Sequence, residues 1–196
     1  MSDRRTLARR CAAQALYQWQ MSRAELPEIE RQFLTELRTA RTLLRRLRSD
    51  GALTAAERDS LEELLEKYCL PRSEGPEPEP LDLVERARQC GSLELHEGYF
   101  KELLHQVPGH LEAIDAAIGA VADRPLEAID PVERAILRLS GYELLFKPEI
   151  PYRVAVNEGI DLAKHFGATQ SYKYVNGILD RIARTHRAAE IAARRR

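Results

Sequence analysis

Apolar positions along this chain repeat at steps of three and four over most of its length, the spacing of a helix face rather than of a strand. The first run covers residues 4–20, with Leu7, Cys11, Ala15, Leu16 and Trp19 on the side expected to be buried. Pro27 opens a second run, in which Ile29, Phe33, Leu37, Ala40, Leu44 and Leu47 keep the rhythm to about Arg48, before Asp50-Gly51 ends it. Thr54 and Glu57 have the spacing of a capping box for a third helix, which carries Leu61, Leu64 and Leu65 and runs to about Tyr68. Pro71 stops it, so the second and third helices can fold back as a hairpin.

PRSEGPEPEP, residues 71–80, has almost no apolar content and predicts an extended, mobile linker. Leu81 to Gln89 predicts a weak helix that halts at Gly91. Beyond it, Tyr99, Phe100, Leu103, Leu104 and Val107 form a buried face ended by Pro108, and Leu111, Ile114, Ile118 and Val121 form the next. Asp130-Pro131 then supplies an N-cap followed by proline at the first helical position, and that helix stops at Lys147-Pro148. Another spans about Arg153 to His165, with Glu158, Asp161 and Lys164 toward water and Gly167 as its stop. Ser171 can cap the last, in which Val175, Ile178, Leu179 and Ile182 make one stripe. Gly141, Gly159 and Gly177 stand inside these helical patterns, where each costs ~1 kcal/mol against alanine. Close helix packing is the expected compensation.

With 196 residues, 44% of them hydrophobic, the chain can bury a sizeable all-α core. Its formal net charge of −1 gives no overall bias toward a polyanion, so nucleic-acid binding requires a local patch. Cys11, Cys69 and Cys90 are odd in number and lack CxxC spacing, and are expected as separate reduced thiols in a cytoplasmic protein. No apolar run approaches the ~20 residues of a membrane span.

Candidate chemistry is sparse. There is no glycine-rich phosphate loop, no HExxH and no nucleophile elbow, and the five histidines are scattered. Neither an enzyme nor a cofactor or metal site is expected. Arg4, Arg5, Arg9 and Arg10 crowd the start of the first helix, against the macrodipole preference for acids there. They either solvate a frayed end or contact phosphates, for which forked guanidinium groups are suited. Tyr17, two turns on, either belongs to the rim of the core or stacks on a base.

IPYRVAVNEGIDLAKHFG followed by SYKYVNGILDRIAR resembles the C-terminal half of the NusB family of bacterial transcription antitermination factors. DPVERAILRLSGYELL, YFKELL and RRCAAQALYQWQ resemble the same family in the expected order. The resemblance covers about 4–37 and 94–187, leaving 38–93 as an insertion and 188–196 as a basic tail. It implies an all-α fold of two small bundles, no catalysis, and binding to boxA-type RNA with the ribosomal protein NusE and RNA polymerase accompanied by other Nus factors. Carried onto this chain, RNA contact falls to Arg4, Arg5, Arg9, Arg10 and Tyr17, with Glu127, Lys173 and Tyr174 across the bundle. Glu133 and Arg138 are the expected contacts of the protein partner. Thr6 and Leu7 interrupt the family's usual arginine run. Replacing Arg9 and Arg10 together is expected to weaken RNA binding without loss of helicity. The competing readings are a structural helical dimer and an RNA-targeting module of a ribosomal RNA methyltransferase system.

Overall fold

The computed structural model describes residues 3–22, 24–49, 53–69, 82–90 and 92–193, and every regular element among them is helical. In order these are α1 (Asp3–Ser22), α2 (Leu26–Ser49), α3 (Ala55–Tyr68), α4 (Leu83–Gln89), α5 (Glu97–Gly109), α6 (Leu111–Gly119), α7 (Pro131–Phe146), α8 (Tyr152–Phe166), α9 (Ser171–His186) and α10 (Ala188–Ala193). A 3-10 turn at Leu126–Ala128 precedes α7. The fold is all-α, as the apolar spacing predicts. The expected linker at 71–80 and the stops at Asp50-Gly51 and Gly91 lie outside the described residues.

α1 is enclosed on several sides. It packs chiefly on α5 and α7, and also meets α2 and α8. Ala8, Cys11, Ala12 and Ala15 are all wholly buried, and their small side chains let neighbours approach from several sides. α1 and α7 run antiparallel: Arg9 meets Glu143 near the end of α7, while Gln20 Nε2 donates to the Pro131 carbonyl at its start, at 3.1 Å. On the other side, α2 buries Ile29, Phe33, Leu37, Ala40 and Leu44, and α3 lies against it through Leu61, Leu65 and Tyr68. The Thr54–Glu57 capping box forms in both directions, with the Glu57 amide on Thr54 Oγ1 at 3.3 Å and the Thr54 amide on Glu57 Oε2 at 2.9 Å. Lys67 and Tyr68 both donate to Glu36 Oε2 at 2.6 Å, fastening the end of α3 to α2.

α7 begins as its sequence predicts, with Asp130 Oδ1 accepting from the amides of Val132 and Glu133. Its far end is satisfied by a residue that sequence pattern does not reveal. Arg187, buried past the end of α9, donates to the carbonyls of Glu143, Leu144, Lys147 and Pro148. Leu144 is one of the acceptors the helix C-terminus leaves open, and the others fix the turn that follows it.

Three local expectations are corrected. Gly159 and Gly141 do sit at close approaches, but a Cβ at Gly177 would meet only the Arg181 Nη2 atom, at 3.9 Å, so packing does not require that glycine. Ser171 begins α9 but does not cap it; its hydroxyl donates to Glu133 Oε1 at 2.7 Å, and the N-cap position belongs to Gln170, whose φ is 71°. Cys69 and Cys90 are not separate thiols. They are joined in a disulfide, with Cα atoms 5.2 Å apart, because α4 packs back on α3; Cys11 remains a free, buried thiol.

Candidate nucleic-acid interface

The burial of α1 on most sides leaves one stripe free. Arg10, Gln14, Tyr17 and Met21 follow one another at steps of four, three and four, so they share a face. Arg10 and Tyr17 are seven residues apart, roughly 10 Å along the axis. Tyr17 is 39% exposed and Met21 56%, unusual for side chains of this size. Both line an open groove of about 640 Å3 whose floor and far wall are Phe33, Val132, Ile136 and Phe166. Gln14, Gln18 and Lys67 supply its polar edge. Lys67 holds its ammonium 4.4 Å from the centroid of the Phe33 ring. Apolar walls, an accessible phenol and amide groups at the rim are what an unstacked base needs. Lys67, Val132 and Phe166 come from distant parts of the chain, and no local signal ties them to Tyr17.

The four N-terminal arginines separate. Arg4 and Arg5 are exposed, with Arg5 placed 5.6 Å from the Tyr99 ring centroid. Arg10 is half-buried beside the groove stripe. Arg9, expected on the exposed side, is 1% exposed. Its Nε donates to Glu143 Oε1 at 2.8 Å, its Nη2 to Tyr99 Oη at 3.3 Å, and its Nη1 lies 3.7 Å from Glu158 Oε1. The Tyr99 hydroxyl also donates to Glu143. Burial pushes the Glu143 carboxyl up, against the pull of the Arg9 charge beside it. Glu158, expected toward water, instead accepts from Thr6 Oγ1 at 3.0 Å and flanks Arg9. Arg9 therefore neutralises acids inside the bundle and presents nothing to a strand outside it. The break in the arginine run has the same cause: Thr6 binds Glu158 and Leu7 is buried. A carboxylate in the middle of the apolar run Tyr142-Glu143-Leu144-Leu145 was the available signal for an internal cation.

The remaining residues lie toward the other end of α7. Tyr174 is half-buried with the Arg124 guanidinium 4.5 Å from its ring centroid, so one ring face is occupied. Lys173 Nζ donates to Gln170 Oε1 at 3.0 Å, and Glu127 is exposed in the 3-10 turn. Glu133 accepts from Ser171. Arg138 does not offer itself to a partner protein. It grips Asp115 through two parallel bonds of 2.9 and 2.7 Å and also bonds Gln20, locking α7 to α6 and α1. Arg9 and Tyr174 thus lie toward opposite ends of α7 and do not form one patch; the Tyr17 groove, with Val132 on its wall, lies between the α1 arginines and the start of α9. Among the described residues no group of three or more His, Cys, Asp or Glu is placed to hold a metal ion.

Comparison with known proteins gives one consistent answer. The NusB family model matches residues 79–184. The transcription antitermination protein NusB of Methylococcus capsulatus is 56% identical, with the match covering 100% of both chains. That of Chromohalobacter salexigens is 40% identical over 98% of this chain and 92% of its own. The solved structure of Thermotoga maritima NusB superimposes with a TM-score of 0.55 at 26% identity, covering 95% of this chain and 94% of that one.

Proposed function

Because the chain belongs to the NusB family, we propose that it acts in transcription antitermination, binding boxA-type single-stranded RNA of ribosomal RNA leader transcripts. In this reading it works together with the ribosomal protein NusE and joins elongating RNA polymerase with other Nus factors. The observation that carries the RNA part is the open groove beside Tyr17, with Arg10 a short distance along the same stripe of α1. A base splayed from a flexible strand stacks on the phenol, and its phosphates meet the arginines at the start of the helix. Arg4, Arg5 and Arg10 supply that charge. Lys173, Tyr174 and Glu127 extend the surface past the start of α7, and Glu133 remains the proposed contact of the partner protein. Arg9 leaves the set because it is buried, and Arg138 because its guanidinium is committed to Asp115.

The groove is tested by replacing its aromatic. Tyr17→Ala weakens binding of a boxA-type oligonucleotide by the loss of one stacked base, about 1–3 kcal/mol or roughly five- to 150-fold in Kd. Tyr17→Phe binds within a few-fold of the native chain. Equal affinity of the alanine variant and the native protein, measured by fluorescence anisotropy, rejects the groove as the base site.

A further inference from the structure

The outer face of α2 carries Arg38, Arg41, Arg45 and Arg48 at steps of three, four and three, a single stripe along the helix. The fold brings this stripe beside the segment that leads into α5. Arg38 Nη2 lies 3.8 Å from Glu97, and Arg48 Nη2 donates to the Ala87 carbonyl at 2.7 Å. Arg41, Arg45 and Arg48 line a hollow of about 430 Å3 whose far side is Ser92 and Glu94. Arg4, from the start of α1, reaches the same Glu94, Nε to Oε2 at 3.6 Å, and its carbonyl accepts from the His96 amide. Residues remote in sequence thus gather five guanidinium groups around two glutamates, on a protein whose formal net charge is −1. Arg41 and Arg45 carry no hydrogen bond or ion pair among the described residues. The Arg4 and Arg38 pairs are exposed on both sides, and such pairs are weak enough to exchange for another anion.

We propose that this stripe is a second track for the sugar–phosphate backbone of single-stranded RNA, taking nucleotides that flank the ones held along α1. The inference rests on the RNA reading above and extends it from α1 to the outer face of α2. Three features favour RNA backbone over another occupant. Arg4, one of the arginines proposed for the α1 site, pairs with Glu94 at the edge of the hollow and so links the two. Among the described residues that line the hollow none is aromatic, so it suits phosphates better than bases. Among the described residues that line it, the one apolar member is Leu44, whose side chain is spent on the core, so the hollow offers a protein partner little apolar anchorage.

The test compares a boxA-type core oligonucleotide with the same RNA bearing a run of uridines at either end, on the full chain. One extended RNA binds the native protein more tightly than the core, and its slope of log K against log salt is steeper by about 1.4, two phosphate contacts at about 0.7 each. Arg41→Ala combined with Arg45→Ala removes that increment and leaves the core RNA bound as before, with helicity checked by circular dichroism. No gain from either extension on the native chain overturns the track while leaving the α1 site standing. A gain that survives the double substitution also overturns it, including the case where the variant instead loses RNA polymerase. Absence of binding to any of these RNAs overturns both readings together.

Discussion

The fate of single residues here depends on what lies across the bundle from them. Arg9 and Arg10 are neighbours in sequence and of the same type, yet one neutralises Glu143 inside the bundle and the other is half-buried on the stripe that Tyr17 shares. Burying a guanidinium is tolerable only because Glu143, Glu158 and Tyr99 surround it, and the reverse holds for Glu143. Arg9→Met should therefore cost about 3–5 kcal/mol, since it leaves a carboxylate buried without its partner. Combining it with Glu143→Leu should recover most of that loss, because the unpaired charge then disappears. Urea unfolding of the native chain, the single variant and the double variant makes the comparison. A single variant no less stable than the double would contradict the buried pair. The same geometry explains why replacing Arg9 and Arg10 together is a poor probe of RNA binding: half of that change strikes the core.

At the scale of elements, the helices whose signals are local were legible, and the contacts between helices were not. Asp130-Pro131 and the Thr54–Glu57 box act within four residues, so their sequence spacing is already their geometry. The three helical glycines look alike in sequence and differ in the bundle. A Cβ at Gly159 would fall 2.6 Å from both Leu179 Cδ1 and Ser140 Oγ, where α8 crosses α9 and α7, whereas one at Gly177 would make an ordinary contact with the far end of Arg181, at 3.9 Å. Gly159→Ala should lose about 1–3 kcal/mol through overpacking, less the helix-propensity gain of about 1 kcal/mol. Gly177→Ala should gain up to about 1 kcal/mol. Thermal unfolding that ranks the two the other way would refute this packing. The junction of α2 and α3 has a pH signature. Burial raises the Glu36 carboxyl, but hydrogen bonds from Lys67, Tyr68 and Gln32 outweigh it and hold the group below its ordinary range. Its stabilising effect is thus complete above the unfolded value of about 4.3 and is lost as pH falls through the lower folded value. Between about pH 6 and pH 3 the native protein should lose more thermal stability than Glu36→Gln does; parallel curves would show that Glu36 does not anchor α3.

For the molecule as a whole, a net charge near zero conceals a local concentration of one sign. Arginines of α1 and α2 gather around Glu94, with Arg4 on one side of it and Arg41, Arg45 and Arg48 on the other. Binding of RNA to such a local patch should fall with salt, at a slope of about −0.7 per phosphate neutralised. An affinity unchanged between low and high salt would exclude a phosphate-based interface. A patch this small gives modest affinity alone, so adding NusE should tighten RNA binding; isothermal titration with and without that protein reads the difference.

Most helix positions and the all-α class were legible in the linear chain, because periodicity, caps and breakers act over a few residues and survive without any tertiary context; the family was legible through the resemblance of its motifs, while α10, inside the expected basic tail, was not foreseen. Which arginines face water, which glycine is compressed, and that Cys69 meets Cys90 depended on the packed bundle. Exposure is a property of what surrounds a side chain. In α1 those surroundings come from α5, α7 and α8, some 90 to 150 residues away in sequence, beyond the reach of any local pattern.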